Sequence, residues 1–288
     1  MWKNFLNAFM PFVKIMKNYL KLARIGNVII TFLSVECAGI LCGIKIVLSW
    51  EILTSAVAAS LITAGGNAIN DLFDVDIDRI NRPNRPLVSG KLSAQKAKIF
   101  YIIATLTGLL ISVAINIYSF VIAFFAATVI FLYSFRLKRS VFFGNFAVAL
   151  MTGLTFIYAG ASIKDFIDVY PAAVFAFLTN LIREIIKDAE DVNGDGQIGV
   201  KTIATRFGTN ISAYLAMILT AILLFIVWGA YDLSILPIQF LTVCGLTIFP
   251  IGVYISYLLI SRRGFSEVSF GYKLMMVFGL VALIVGKI

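Results

Sequence analysis

The sequence predicts an all-α membrane protein that crosses the bilayer nine times. Three observations predict it. Of the 288 residues, 60% are hydrophobic. Only 14% are charged, against about 25% in soluble domains. The apolar residues also gather into runs of roughly 18 or more, the length a helix needs to cross hydrocarbon. Together these runs leave no room for a large soluble domain.

Residues 1–24, "MWKNFLNAFMPFVKIMKNYLKLAR", mix aromatics with lysines and lack a small-residue cleavage site after their apolar part. An interfacial helix is therefore expected rather than a cleaved signal peptide, the other reading being a simple extension of the first span. Spans follow at 25–43, 51–70, 97–116, 118–135, 142–162, 168–188, 210–230, 237–260 and 270–287. They form a single domain over 25–288. Cys37, Cys42 and Cys244 all lie inside apolar runs, where they read as packing residues rather than a disulfide framework or metal site.

The net charge of +9 would suit nucleic acid, but its distribution does not. Of 24 lysines and arginines, all but Lys45, Lys164 and Lys287 fall in the N-terminal segment or by the connections after spans 2, 4, 6 and 8. By the positive-inside rule the N-terminus and those connections are cytoplasmic and the C-terminus is outside. The basic excess is then mostly topology, with a remainder for anionic lipid or anionic substrate. Nothing in the sequence points to a protein partner.

Nine of the 15 acidic residues crowd into two places, both at cytoplasmic ends of even-numbered spans. Asn67, Asp71, Asp74 and Asp78 lie at i, i+4, i+7 and i+11, and so do Glu184, Asp188, Asp191 and Asp195. Each quartet falls within about 60° of one helix face. The quartets are 117 positions apart, 184 against 67, which predicts an internal repeat with halves near 25–135 and 142–260. Gly194 and Gly196 are expected to end the second helix, leaving Asp195 on the loop.

The second quartet lies in "KDAEDVNGDGQIGVKT", which imitates a calcium loop: Asp191, Asn193 and Asp195 take positions 1, 3 and 5, with Gly196 at position 6. Position 12, however, is Thr202, where calcium requires a bidentate Glu. Carboxylates this close repel unless a cation neutralises them or some stay protonated. Hard oxygen ligands with room for water and phosphate suit Mg2+. Magnesium held at a membrane surface would bridge naturally to a diphosphate. Arg79, Arg82, Arg85, Lys138, Lys187, Lys201 and Arg206 are the cations available to hold phosphate oxygens. Pro83 and Pro86 forbid a continuing helix and make "DIDRINRPNRPLVSGKLS" an ordered cap. A diphosphate head on a long hydrocarbon tail, a polyprenyl diphosphate, matches both the polar mouth and the apolar spans. Magnesium and cations would then assist departure of the diphosphate.

"NAINDLFDVDIDRINRPNRPLVSG" resembles the N-D-x-x-D-x-x-x-D motif of the UbiA superfamily of intramembrane prenyltransferases, matched by Asn70, Asp71, Asp74 and Asp78. "REIIKDAEDVNGD" resembles its second aspartate motif, matched by Asp188, Asp191 and Asp195. The resemblance implies nine helices around a central cavity open to lipid, with cytoplasmic cap loops, and magnesium-dependent prenyl transfer. Two ions are expected, one on Asp71, Asp74 and Asp78 and one on Asp188, Asp191 and Asp195. Arg82, Arg85, Lys138 and Lys201 would steady phosphate groups, with Asn67, Asn70 and Glu184 supporting. Tyr133 and Lys138 stand where the family uses a Tyr and a Lys near the diphosphate, and Arg24 is expected either to hold an acceptor phosphate or to anchor the span at the interface. The wording of "NRPNRP" and of the second motif is most similar to members that join geranylgeranyl diphosphate to geranylgeranylglyceryl phosphate in the lipid bilayer.

Rival readings remain at this point. One is transfer to an aromatic quinone precursor. Another is a cation transporter, whose acids would belong near mid-span rather than at span ends. The D-x-x-D-G-x-x-A-R signature of CDP-alcohol phosphatidyltransferases is absent, and with no histidine in the chain, histidine catalysis and ligation are excluded.

Overall fold

The structure is a computed structural model that describes residues 13–43, 45–192, 201–233, 235–261 and 264–287. Among these residues every regular element is a helix, as a chain that must satisfy its own backbone hydrogen bonds in lipid requires. The chain divides into two compact units, one of the described residues through Glu36 with Trp50–Phe135, the other of Cys37–Ser49 with those from Arg136 onward.

The first unit contains α1 (residues 13–22), most of α2 (Ile25–Cys42), α3 (Trp50–Phe73), α4 (Val75–Asn81), α5 (Ala94–Ile115) and α6 (Ile117–Phe135). α1 does not simply extend the first span. Arg24 adopts the left-handed conformation at φ 51° and separates the two helices, a backbone state uncommon outside glycine. α1 is tied down by Leu22, fully buried against Ala68, Leu92 and Ala97, and by Tyr19 tilted against Phe100 at 5.6 Å. α3 packs on α5 through small residues, and a Cβ on Gly108 would stand 2.9 Å from the Ala58 carbonyl oxygen. Such contacts hold helices together in lipid, where apolar burial gives little drive. Ser93 caps α5 by accepting from the Lys96 N–H, and the Asn116 amide oxygen accepts from the Ser119 N–H at 2.8 Å to open α6.

The second unit takes in residues 37–49, with the end of α2, and a short 3-10 turn (Leu137–Arg139). It comprises α7 (Phe143–Ile163), α8 (Tyr170–Glu190), α9 (Ile203–Phe207), α10 (Thr209–Asp232), α11 (Ile238–Leu246), α12 (Ile248–Ser261) and α13 (Phe265–Lys287). α8 packs against α7, α9, α10 and α13. Its neighbours come close where glycine allows: a Cβ on Gly153 of α7 would lie 2.8 Å from the Ala173 carbonyl oxygen, and Gly279 of α13 lies flat under the Phe175 ring. The expected span at 237–260 is bent by 43° between α11 and α12. Pro250 explains the bend, since it offers no N–H to the preceding turn and its ring crowds that turn.

Among the described residues seven helices (α2, α3, α5, α6, α7, α10 and α13) are long and apolar enough to cross a membrane, eight if the bent pair counts as one span. The protein is a multi-pass membrane protein. α8 has the length of a span, 21 residues. However, Arg183, Glu184, Lys187, Asp188 and Glu190 load its last turns with charge, so it is not apolar enough by composition.

Candidate functional site

In the first unit the expected acids are split by a break in the helix. α3 ends at Phe73, Asp74 forms the corner, and α4 carries Asp78. The continuous stripe read from the sequence therefore bends at Asp74. There Asn70 donates its side-chain amide to the Asp74 carboxylate at 3.0 Å, one turn along the chain.

Asp71 and Asp78 are drawn together instead. The Asp71 side chain is 2% exposed, and its Oδ1 accepts from Arg24 at 2.6 Å and from Arg85 at 3.0 Å. The same Arg85 nitrogen pairs with Asp78. Arg85 reaches this position because the cap loop is a run of turns: Arg82 N–H bonds the Asp78 carbonyl, Arg85 N–H that of Arg82, and Ser89 N–H that of Arg85. Arg24 is aimed by the turn at Ala23, whose carbonyl accepts from the Asn67 side chain at 2.8 Å. Arg24, Asp71, Arg85 and Asp78 thus form one part-buried network of alternating charge, with Asn67 holding the turn beside Arg24. Two buried carboxylates are tolerable here because two guanidiniums compensate them. Arg82 is exposed, and Tyr133 is half-buried on α6.

In the second unit Asp188 lies on the last turn of α8, and its Oδ2 accepts from the Asn145 side chain of α7 at 2.7 Å. Glu184 pairs with neighbouring Arg183 at 2.6 Å. Asp191 is exposed and caps α8, its N–H bonding the Lys187 carbonyl at 2.9 Å. Lys138 is half-buried on the 3-10 turn, and Lys201 is exposed just before α9. Asp195, like the rest of the calcium-like stretch from 193 to 200, lies outside the described residues.

Asn145 and Arg183 were not singled out from the sequence. The signal for Asn145 was a lone amide at the start of an apolar run, in "FFGNFAVAL", where a polar side chain needs a partner. Arg183 was masked by its place among the charges that end the span.

The donor set fits magnesium chemically: Asp71, Asp74, Asp78, Asp188 and Asp191 offer hard carboxylate oxygens, and the buried Asn70 amide oxygen has no hydrogen-bond partner. Among the described residues no three acids or thiols converge closely enough to hold an ion. In the first unit the geometric reason is that Arg85 sits between Asp71 and Asp78 while Asp74 turns to Asn70.

The family model for the UbiA prenyltransferase family matches residues 32–280. A digeranylgeranylglyceryl phosphate synthase of Saccharolobus solfataricus is 42% identical over 219 residues, 73% of this chain and 76% of the relative. Another, from Methanosphaera stadtmanae, is 32% identical over 95% of this chain and 100% of the relative. A solved structure described in a study of digeranylgeranylglyceryl phosphate synthase in membranes superposes with a TM-score of 0.84 at 33% identity, covering 95% of this chain and 98% of the other. A UbiA homologue from Archaeoglobus fulgidus, bound to DMAPP and Mg2+, shares the fold with a TM-score of 0.70 at 24% identity, over 92% of this chain and 99% of its own. With that family pattern running through both aspartate motifs, this chain belongs to the UbiA prenyltransferase family.

Proposed function

We infer that this membrane enzyme forms the second ether bond of archaeal membrane lipid. It transfers a geranylgeranyl group from geranylgeranyl diphosphate to geranylgeranylglyceryl phosphate and releases diphosphate. One observation carries this reading: synthases of that activity match the chain nearly end to end, at 32% identity over 95% of its residues.

In the reaction the allylic carbon–oxygen bond of the donor breaks, its electron pair leaving with diphosphate. The acceptor hydroxyl oxygen bonds the freed carbon and gives up its proton. With no histidine in the chain, that proton goes to a carboxylate or to the departing diphosphate. Asp71, Asp74 and Asp78 are assigned to one Mg2+, and Asp188, Asp191 and Asp195 to a second. Bound magnesium supplies charge that stabilises the leaving diphosphate. Arg82, Arg85, Lys138 and Lys201 hold phosphate oxygens, with Tyr133 beside them. Asn67 holds the turn that carries Arg24, while Asn70 and Glu184 orient neighbouring side chains. Arg24 serves the acceptor's phosphate.

The same reading takes α8 as the ninth span, with the N-terminus and both motifs cytoplasmic and the C-terminus outside. Residues 1–24, of which 1–12 lie outside the described residues, are taken as the interfacial segment, and the domain over 25–288 as a pseudo-repeat. A parallel between the halves supports the repeat: Arg24, just before α2, donates to Asp71 of α3, and Asn145, early in α7, donates to Asp188 of α8.

The test is prenyl transfer by the purified protein in detergent, with geranylgeranyl diphosphate and magnesium, offered geranylgeranylglyceryl phosphate and an aromatic acid side by side. The expected product is the diether, lost on adding EDTA. Transfer to the aromatic acid alone would overturn the acceptor, and no transfer to either would favour a cation transporter.

A further inference from the structure

A cleft of about 430 Å³ opens where α1 meets α2, lined by Lys17, Leu20, Lys21, Arg24, Ile25 and Gly26 among others. Lys17 and Lys21 stand one helical turn apart and so share a face of α1. Both are exposed, and Arg24, at the left-handed turn between the helices, is a third basic residue in the lining. Among the described residues no carboxylate lines the cleft. It therefore differs from the aspartate motifs in the chemistry it can hold: an anion directly, with no need of a metal. Gly26 leaves the floor open, since nothing lies within 4 Å of where its Cβ would stand.

Below the cations runs an apolar track. Ile25, Ile29 and Leu33 recur at i, i+4 and i+8 on α2 and are 43%, 51% and 54% exposed. The eight steps from Ile25 to Leu33 carry the track about 12 Å along the helix, into the depth where lipid tails lie. A cationic mouth continuous with an apolar track matches an amphiphile with a compact anionic head and a long tail. Three cations suit a phosphomonoester, which carries about −1.5 to −2 charges near neutral pH.

We propose that the α1–α2 cleft is a binding site for a phosphomonoester lipid, with the phosphate held by Lys17, Lys21 and Arg24 and the tail laid along Ile25, Ile29 and Leu33. Under the function inferred above the occupant is the acceptor, and Arg24 gives the site its route to the reaction. Arg24, one of the residues that line the cleft, also donates its guanidinium to Asp71 Oδ1 at 2.6 Å. A phosphate arriving in the cleft competes for that guanidinium, so acceptor binding and the state of Asp71 are linked.

The test uses the full chain in detergent and in nanodiscs, with two variants that act differently. Lys17→Gln/Lys21→Gln removes charge from exposed positions. Gly26→Leu fills the floor with a better helix former and leaves every charge in place. Binding of geranylgeranylglyceryl phosphate is measured directly by calorimetry without donor, and the KM of each substrate is measured in the transfer assay. Charge-assisted contacts of this kind are worth roughly tenfold each in affinity. Both variants are expected to weaken acceptor binding and raise acceptor KM by at least about tenfold, with donor KM unchanged. A competition arm with phosphatidic acid in phosphatidylcholine nanodiscs separates the sources: failure to compete assigns the site to the acceptor, and equal competition assigns it to phosphomonoester lipids generally. Unchanged binding and unchanged acceptor KM in both variants would overturn the site. A wild-type protein that transfers nothing but binds the lipid phosphate in a Lys17- and Lys21-dependent way would overturn the proposed reaction and leave the site standing.

Discussion

Arg85→Ala is the substitution that tests the charge network most directly. One Arg85 nitrogen serves two carboxylates, Asp71 at 3.0 Å and Asp78. The three side chains are 14%, 2% and 7% exposed, in the order Arg85, Asp71, Asp78. Removing one partner of a buried pair costs about 3–5 kcal/mol, because it leaves an uncompensated charge. Here the cost is lower, since Arg24 still pairs with Asp71 and water can enter the space vacated at the cap loop. We expect about 2–4 kcal/mol. In a chain of this size each kcal/mol moves the melting temperature by roughly 2 °C, so the variant should melt about 4–8 °C lower. The assay is thermal unfolding in detergent, followed by circular dichroism, in EDTA and again in millimolar Mg2+. The deficit should be largest in EDTA and shrink with magnesium, because a bound cation replaces the missing charge. Adding Asp78→Asn should also recover part of the loss, since the pair rather than either residue is what the fold needs. Melting within 1 °C of wild type in EDTA, or a deficit of equal size with and without Mg2+, would refute this account.

Other expectations follow from the same geometry. Asp71→Asn and Asp188→Asn should each lose transfer at least about a hundredfold while remaining folded in the membrane, and near-normal turnover in either would sink its assignment as a metal ligand. Asn145→Leu removes the amide that orients Asp188, and should raise the Mg2+ concentration for half-maximal activity about ten- to hundredfold, with activity recovered at high Mg2+. Tyr272→Phe deletes the buried 2.6 Å bond between Tyr272 and Thr220. It should lower stability by only about 0.6–1.7 kcal/mol with transfer kinetics unaffected, and a larger loss would mean the bond does more than join α10 to α13. Gly279→Ala should be destabilising because its Cβ would overlap the Phe175 ring, and Phe175→Leu in the same chain should restore part of the melting temperature.

Much of the fold was legible because lipid makes composition nearly equivalent to structure. The run read as 118–135 is the helix Ile117–Phe135, and that read as 142–162 is Phe143–Ile163. The exceptions have identifiable causes. Pro250 bends a run that hydropathy alone reads as continuous, since its missing N–H leaves no trace in an apolar average. The break at Asp74 escaped a stripe argument that assumes one unbroken helix through Asp78. At the candidate site, spacing singled out the carboxylates because each set lies within one chain segment. It did not find their partners. Arg24 is 47 positions from Asp71, and Asn145 is 43 from Asp188. Pairings over such distances depend on how helices pack, which no local period encodes.

The ion pairs also bear on what binding at the first motif must involve. An ion approaching Asp71 and Asp78 meets carboxylates already held by Arg24 and Arg85. It can bind them only if at least one guanidinium moves, and a guanidinium taken from a buried carboxylate needs another anion close by. Under the proposed reaction a diphosphate would supply that anion for Arg85, and under the proposed cleft site a lipid phosphate would supply it for Arg24. Metal affinity at the first motif should therefore rise when either phosphate is present, by an amount that each phosphate returns as tighter binding when the metal is present. Mn2+ titration followed by electron paramagnetic resonance, with and without geranylgeranylglyceryl phosphate and without donor, measures this coupling. In wild type the acceptor should tighten Mn2+ binding several-fold, and in Lys17→Gln/Lys21→Gln that gain should fall away. Mn2+ affinity indifferent to the acceptor in wild type would show that Arg24 does not link the cleft to Asp71.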